Sequence, residues 1–174
     1  DPDIVAAAAP IVEEMGYDVL DLNLGCPVPK ITGGGDGAGS ALLCRPLKAE
    51  AMFRKVVAAV GRIPVTVKMR IGFNDASGAE AVEVAKRAEG AGISALAVHG
   101  RTRAQQYSGN ADYSAIGKVK AAVRIPVLGN GDVRNGADAR RLKTVSGCDG
   151  VMLGRGALGN PWIYREVAAA LKGE

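Results

Sequence analysis

Short apolar segments that read as strands alternate with longer amphipathic segments that read as helices along the whole chain. The predicted order is αβαβαβαβαβα, and the strands are rich in Val, Ile and Leu, which is typical of parallel strands covered on both faces. Parallel neighbours need a crossover connection, usually a helix. The alternation therefore predicts an α/β fold with a five-stranded parallel sheet.

The same pattern predicts the bounds of each element. A glycine-rich loop is expected from Gly25 to about Ser40, and Pro10 counts against an unbroken first helix because proline removes a helix hydrogen bond. Residues 56–65 and 119–127 echo each other (VVAAVGRIPV and VKAAVRIPV), each a helix end that leads into a strand. Helices are predicted over 3–15, 46–60, 77–89, 112–123, 136–146 and from about 161, and strands over 18–24, 64–70, 93–99, 126–129 and 149–153.

An open doubly wound sheet and a (β/α)8 TIM-type barrel both fit this order, and the polar residues favour the barrel. A doubly wound sheet concentrates ligand-binding residues where its strand order reverses, whereas every strand of a barrel contributes at its C-terminal end. A complete barrel has eight strands and typically ~250 residues, so 174 residues with five strands predict the C-terminal part of a barrel. Polar residues follow all five strands: Asn23 and Cys26, Lys68 and Arg70, His99 and Arg101, Asn130 and Asp132, and Arg155.

Composition excludes several other classes of protein. Apolar residues make up 48% and charged residues 23%, which is ordinary for a globular domain and excludes a disordered tail. The 24 glycines follow no period of three, so a collagen is excluded. No apolar run approaches the ~20 residues of a membrane span. The net charge of +4 permits a phosphate-bearing partner without requiring one.

Three cysteines without metal-type spacing argue against a disulfide scaffold or a zinc cluster, and a reducing, cytoplasmic setting is expected. Cys26 follows a strand on the glycine-rich loop. A free cysteine is mostly thiol at neutral pH, so it can act as a general acid. Attack as a thiolate and a buried structural role are the alternatives. Cys44 and Cys148 are expected to be structural.

Two clusters of basic residues have similar alternatives. Lys68 and Arg70 share one face of a strand, and they either meet an anion or lie in solvent. His99 and Arg101, followed by Arg103, place three basic groups at a strand end, which indicates a nearby phosphate or flavin edge unless His99 is a core residue.

The last two strand ends carry glycine-rich segments, Gly129 to Asp132 and Gly154 to Gly159. The loops after the last two strands of a barrel often bind a phosphate, because glycines let the backbone approach it and a helix N-terminus attracts it. Arg155 would add a charged donor. An Asn-Gly turn and a glycine loop without a ligand are the alternative. Tyr107 and Tyr113 are expected to be packing residues.

These segments, taken in order, resemble the tRNA-dihydrouridine synthases, most of all their bacterial B-type branch. The resemblance runs from Asp1 to about Tyr164. The matching stretches are DLNLGCPVPKI, GSALL, PVTVKMRIGF, HGRTRAQQYSGNADY, IPVLGNGDV and GCDGVMLGRGALGNPWIY.

The resemblance implies reduction of a tRNA uridine to 5,6-dihydrouridine. NADPH reduces FMN, the flavin N5 gives hydride to C6 of the base, and an acid protonates C5. Cys26 falls on the position of that acid. Asn23 and Arg70 would shape the base pocket, and Lys30, Arg101 and Arg103 would hold phosphates of an extruded uridine. The positions implied to contact FMN are Lys68, His99, Asn130, Gly131, Asp132, Gly154 and Arg155.

The chain also departs from the family pattern. It begins with Asp1, which aligns just after the family's third strand, so it is expected to be a piece of a longer protein. The family's first three strands and its C-terminal helical tRNA-binding domain have no counterpart in residues 1–174, and the loop from Gly33 to Gly39 is about two residues longer than usual.

Two other functions therefore remain open at this point. One is an FMN barrel that acts on a free pyrimidine or another small molecule. The other is an inactive fragment or an RNA-binding remnant.

Overall fold

A computed structural model describes residues 1–33 and 37–173. All five predicted strands and all six predicted helices are present, and a short helix and two 3-10 turns occur in addition. The part of the glycine-rich loop at Gly34 and Gly35 lies outside the described residues. The helices are α1 (Pro2–Glu14), α2 (Pro29–Thr32), α3 (Pro46–Ala59), α4 (Ala79–Gly90), α5 (Tyr113–Ala122), α6 (Gly136–Ser146) and α7 (Ile163–Lys172). The strands are β1 (Leu20–Leu24), β2 (Val65–Gly72), β3 (Ala95–Thr102), β4 (Val127–Asn130) and β5 (Gly150–Met152), and the 3-10 turns are Gly39–Cys44 and Arg155–Ala157.

Two local expectations are wrong. Helix α1 continues through Pro10. Pro10 lacks an N–H and so removes one helix hydrogen bond. Two features offset that loss: the Asp1 carboxylate caps the helix by accepting the Asp3 amide, and α1 packs along α3. The segment from Gly25 to Ser40 is also not loop throughout, because it contains α2 and the start of the first 3-10 turn.

The five strands form one parallel sheet in the order β1-β2-β3-β4-β5. Each strand pairs with its neighbour in sequence and the order never reverses, which is the arrangement of a barrel wall. The registers place Arg70, His99, Asn130 and Met152 side by side near the C-terminal ends of β2 to β5. Side chains from four strands therefore converge at one end of the sheet.

One face of the sheet packs against helices and forms the core. Its alternating residues are buried, as at Leu22 and Val67. In the described part of the chain the opposite, inner face is partly open: Leu128 is 37% and Met152 38% exposed. The expectation that both faces are covered is therefore wrong for these residues. The largest fully buried side chains are Phe53, Leu24, Leu43, Met69, Ile71, Ile93, Leu96, Ile116, Leu142 and Ile163.

Among the described residues, none of the helices combines the length and the apolar character that crossing a membrane requires.

Candidate functional site

A cleft of about 640 Å³ opens at the C-terminal ends of the strands. Every strand, or the loop that follows it, contributes to the wall, as expected of a barrel-type site. The cleft brings together most of the residues that the sequence singled out. It is lined by Asn23, Gly25, Cys26, Pro27, Lys68, Arg70, His99, Tyr107, Asn130, Gly131, Asp132, Val133, Arg134, Met152, Gly154, Arg155 and Gly156.

Cys26 lies half-buried in the loop between β1 and α2. Its carbonyl oxygen accepts hydrogen bonds from the Ser40 hydroxyl at 2.8 Å and the Ser40 amide at 3.1 Å. Arg70 Nε donates to the neighbouring Gly25 carbonyl at 2.9 Å. A Cβ on Gly39 would lie 2.9 Å from the Cys26 carbonyl oxygen, so only glycine permits this approach. The loop is thereby held at the cleft wall, and the buried structural role does not apply to Cys26.

The His99 imidazole is held in one tautomer. Asn130 Nδ2 donates to the Met152 carbonyl at 2.8 Å, which turns Asn130 Oδ1 toward His99 Nδ1, also at 2.8 Å. Nδ1 therefore carries the proton, and Nε2 is an acceptor. Nε2 is buried and has no partner among the described residues. Burial lowers the pKa of His99 to about 4, with repulsion from nearby cations, although the Asn130 bond opposes the shift. His99 is thus neutral at pH 7.

Lys68 and Arg70 both line the cleft, so neither lies beyond the strand in solvent. Burial, together with the charge of Arg70, lowers the pKa of Lys68 to about 8, against the attraction of Asp21. The Arg70 side chain is only 5% exposed. Its Nη1 donates to the carbonyls of Thr102 at 2.9 Å and Gln106 at 3.0 Å. Arg70 therefore joins the loops that follow β1 and β3.

Arg101 does not fit the predicted contact with an RNA phosphate. It is 2% exposed. Its Nε donates to the Ser108 carbonyl at 3.1 Å, and its Nη2 donates to the Gly109 carbonyl at 2.7 Å and to both carboxylate oxygens of Asp132. A guanidinium enclosed in this way cannot reach a phosphate outside the protein. The sequence predicted a basic residue at this strand end, near a phosphate or a flavin edge, but not these acceptors within the protein.

The Asp132 carboxylate is likewise engaged with protein. Besides Arg101, it accepts the Ala111 amide at 2.8 Å and lies 3.5 Å from Arg155 Nη2. Burial raises the pKa of Asp132, but the Ala111 hydrogen bond and the Arg101 charge outweigh it, so the pKa lies below its ordinary value. Asp132 lines the cleft as an ionised side chain that already has cationic partners.

The two glycine-rich segments approach each other closely. Gly131 has φ +136°, and a Cβ there would lie 2.6 Å from Ala111 Cβ. A Cβ on Gly156 would lie 2.2 Å from the Val133 carbonyl oxygen. Arg155 lies beside them with a side chain that is 52% exposed. The arrangement leaves backbone and a guanidinium accessible at one end of the cleft.

Lys30 and Arg103 lie outside the cleft lining. Lys30 is exposed on α2. Arg103 is partly buried, its Nε donates to the Pro27 carbonyl at 3.3 Å, and its guanidinium lies 5.1 Å from the centre of the Phe73 ring. Both remain available as surface charges beside the Cys26 loop.

Tyr107 is the cleft residue that the sequence reasoning assigned wrongly. It was expected to pack, yet it is 59% exposed and lines the cleft. Its ring centre lies 4.4 Å from the Arg155 guanidinium carbon. Neither the spacing nor the periodicity of the sequence marks it, because the loop that carries it folds back over the strand ends. The expectation holds for Tyr113, which is partly buried against the core and donates to the Gly131 carbonyl at 2.9 Å.

Comparison with known proteins identifies similar sequences over the whole chain. Residues 1–174 match the family described as dihydrouridine synthase. The chain is 49% identical over 170 residues to a probable tRNA-dihydrouridine synthase of Rhodobacter capsulatus, covering 98% of this chain and 51% of that protein. It is 45% identical over 172 residues to tRNA-dihydrouridine synthase B of Pseudomonas putida, covering 99% and 50%. The chain thus spans about half the length of these relatives.

Solved structures agree on the fold. The L-Ala-D/L-Glu epimerase of Bacillus subtilis superposes with a TM-score of 0.68 at 17% identity, covering 99% of this chain and 41% of the epimerase. The likeness shows the α/β barrel architecture alone, and it confirms the predicted fold class of a partial barrel.

Proposed function

We propose, from the premise that this chain belongs to the dihydrouridine synthase family, that its cleft is the site where uridine in tRNA is reduced to 5,6-dihydrouridine. The observation that carries the proposal is the convergence of Cys26, Lys68, His99 and Asn130 on one cleft. A thiol, a cation, and an acceptor that has no partner among the described residues would there act on one bound planar ligand.

The residues fit FMN. No residue in the described part of the chain donates to the buried His99 Nε2, and the isoalloxazine ring carries a ring N–H. Lys68 is a half-buried cation that lines the same cleft, suited to an electron-rich ring edge. Gly131, Gly154 and Arg155 offer backbone and a guanidinium to the phosphate group. We assign Lys68, His99, Asn130, Gly131, Gly154 and Arg155 to FMN.

FMN, reduced by NADPH, would supply the hydride that adds to C6 of uracil. The chain's own task is then to place the base and deliver a proton to C5. Cys26, held by Ser40 and Arg70 at the cleft wall, is the proton donor in this proposal. Asn23, on the same side of the cleft, would orient the base.

The RNA itself would be held outside the cleft. The target uridine must leave its stack to enter. Lys30 and Arg103 flank the Cys26 loop and would hold the backbone phosphates next to it, a contribution that weakens with salt. A tRNA substrate would place the reaction in the cytoplasm.

The first test is a titration of the 174-residue chain with FMN, followed by visible absorption. We expect the chain to retain flavin and Arg155→Ala to bind FMN at least tenfold more weakly. That pair of results would support the assigned phosphate site. Failure to retain FMN would contradict the proposal that these five βα units hold the cofactor.

The second test addresses the reaction. Cys26→Ala is expected to keep flavin binding and flavin reduction by NADPH while losing at least tenfold in dihydrouridine formation on unmodified tRNA. Cys44→Ala is the matched control, because Cys44 lies outside the cleft with its thiol 3.5 Å from Glu80. Equal turnover in Cys26→Ala would remove Cys26 as the acid. Turnover of free uridine in preference to tRNA would favour a small-molecule substrate.

A further inference from the structure

The loop between β3 and α5, residues 103–112, carries Tyr107 to the mouth of the cleft. Two of its residues have left-handed backbone conformations, Gln106 at φ +50° and Gly109 at φ +63°. Tyr107 lies between them, exposed, with its ring against Arg155. A surface loop without regular secondary structure keeps one conformation only where contacts with other parts of the chain offset the entropy it loses.

Arg101 holds the distal half of this loop from beneath. Its guanidinium donates to the carbonyls of Ser108 and Gly109, directly after Tyr107, at 3.1 and 2.7 Å. The same guanidinium is oriented by Asp132, whose two oxygens accept from Nη2 at 2.9 and 2.7 Å. Arg101 therefore links the loop to the segment that follows β4.

Asp132 also holds the loop directly. Its Oδ2 accepts the Ala111 amide at 2.8 Å, and its Oδ1 lies 3.5 Å from Arg155, the residue on which Tyr107 stacks. Asp132 itself has φ +53°, a conformation that non-glycine residues rarely adopt. The carboxylate thus makes four contacts from a backbone conformation that is rare for aspartate. This combination indicates that the fold requires the Asp132 side chain to point toward Arg101 and Ala111.

We propose that Asp132 is a positioning residue that sets Tyr107 at the cleft mouth, acting through Arg101 and residues 103–112, without touching substrate or cofactor itself. The proposal replaces the predicted role of the Asp132 side chain as a cofactor contact. An ionised carboxylate repels a phosphate, and both Asp132 oxygens already accept hydrogen bonds from Arg101 or Ala111. The inference rests on the proposed function only for the identity of the ligand that Tyr107 would face in the cleft.

The position of Tyr107 can be read without FMN or RNA. The chain has four tyrosines, so incorporation of 3-fluorotyrosine yields four fluorine resonances, and Tyr107→Phe identifies the one of interest. Asp132→Asn replaces one acceptor oxygen by a donor. Arg101→Lys keeps the charge but loses the planar fork that bonds two carbonyls and a carboxylate together. The second variant decides the question if the first does not fold.

Asp138→Asn is the matched control, because Asp138 lies six residues further along the chain, in the first turn of α6, where its carboxylate accepts the Arg134 amide at 3.0 Å. We expect Asp132→Asn and Arg101→Lys to move the Tyr107 resonance and to speed amide exchange over residues 103–112 at least tenfold, with the Tyr17 and Tyr164 resonances unchanged. Asp138→Asn should do neither.

An unmoved Tyr107 resonance and unchanged loop exchange in both variants would overturn the proposal. So would a tenfold loss of FMN affinity in Asp132→Asn with an unchanged loop, since that result would make Asp132 a cofactor ligand. The Tyr107 resonance and the amide exchange of residues 103–112 can both be measured even if the chain does not reduce uridine. The two proposals can therefore fail independently.

Discussion

At the scale of the single residue, burial controls the charge of His99. Its pKa is lowered to about 4 from 6.5, first by burial, with repulsion from cations adding and the Asn130 bond opposing. Between pH 6.5 and pH 4 the unfolded chain takes up a proton that the folded chain does not. The stability contributed by a neutral His99 is therefore present above pH 6.5 and is lost as the pH falls toward 4.

We expect this loss to amount to about 3 kcal/mol at most, from a shift of about 2.5 pH units. Denaturant unfolding at pH 7, 5.5 and 4 would measure it, and His99→Gln should show a correspondingly weaker pH dependence. Because the chain has one histidine, a single imidazole resonance reports its titration directly. A midpoint near 6.5 would contradict the prediction.

A single glycine decides how the segments after β4 and β5 fit together. In Gly156→Ala the new Cβ would lie 2.2 Å from the Val133 carbonyl oxygen, so the backbone must shift. We expect the free energy of unfolding to fall by about 2 kcal/mol or more, as for other overpacked sites. Gly154→Ala is the control in the same motif, since its nearest neighbour would be Asn130 Nδ2 at 3.9 Å. Equal stability of the two variants would refute the close approach.

At the scale of the secondary-structure element, the sequence echo between residues 56–65 and 119–127 has a structural counterpart. Glu89 at the end of α4 accepts the amides of Arg124 and Ile125 at 2.7 and 3.0 Å. Glu13 at the end of α1 likewise accepts the amides of residues 61–63. In each case a glutamate at the end of one helix caps the turn between the neighbouring helix and the strand that follows it. Glu13 of α1 caps the turn from α3 to β2, and Glu89 of α4 caps the turn from α5 to β4.

Glu89→Ala should therefore destabilise the chain, because two amides in the turn before β4 lose a charged acceptor. We expect a cost of about 1–3 kcal/mol, measured by denaturant unfolding. Glu83→Ala, on the exposed side of the same helix, removes only a surface ion pair with Arg87 and should cost less than about 1 kcal/mol. A similar cost in both variants would show that the cap adds nothing beyond a surface charge.

At the scale of the whole molecule, the described part of the chain exposes large apolar side chains and two strand edges. Leu158 and Trp162, which follow β5, are 79% and 77% exposed, and Ile4 on α1 is 71% exposed. Strands β1 and β5 are the two edges of the described sheet. Exposed apolar patches and free strand edges favour association between molecules.

We expect the 174-residue chain to self-associate with rising concentration, as sedimentation velocity would detect. Trp162→Arg should shift the equilibrium toward monomer by at least threefold in the dissociation constant. Val145→Arg, which adds the same charge at another exposed apolar position, should have a smaller effect. A chain that stays monomeric at every concentration would contradict the prediction.

Much of the fold was predictable because its signals are local. The alternation of elements follows from side-chain periodicity, and each predicted strand lies within a few residues of its observed bounds. The exceptions come from pairing. Strand β3 was expected to end at His99 and runs to Thr102, since it continues to pair with β2 as far as Gly72. Pairing of that kind joins distant residues and leaves no local signal.

The sequence by itself determined the order of the elements and the set of residues at the strand ends, Cys26 and His99 among them, because periodicity and glycine placement act over a few residues. Only the tertiary structure decided which charged groups are free for a ligand. Arg101 near the end of β3 pairs with Asp132 in the segment after β4, and Tyr107 reaches the cleft because its loop is held there. A charge is neutralised by whatever the fold brings within a few ångströms, and that depends on contacts between residues far apart in the chain.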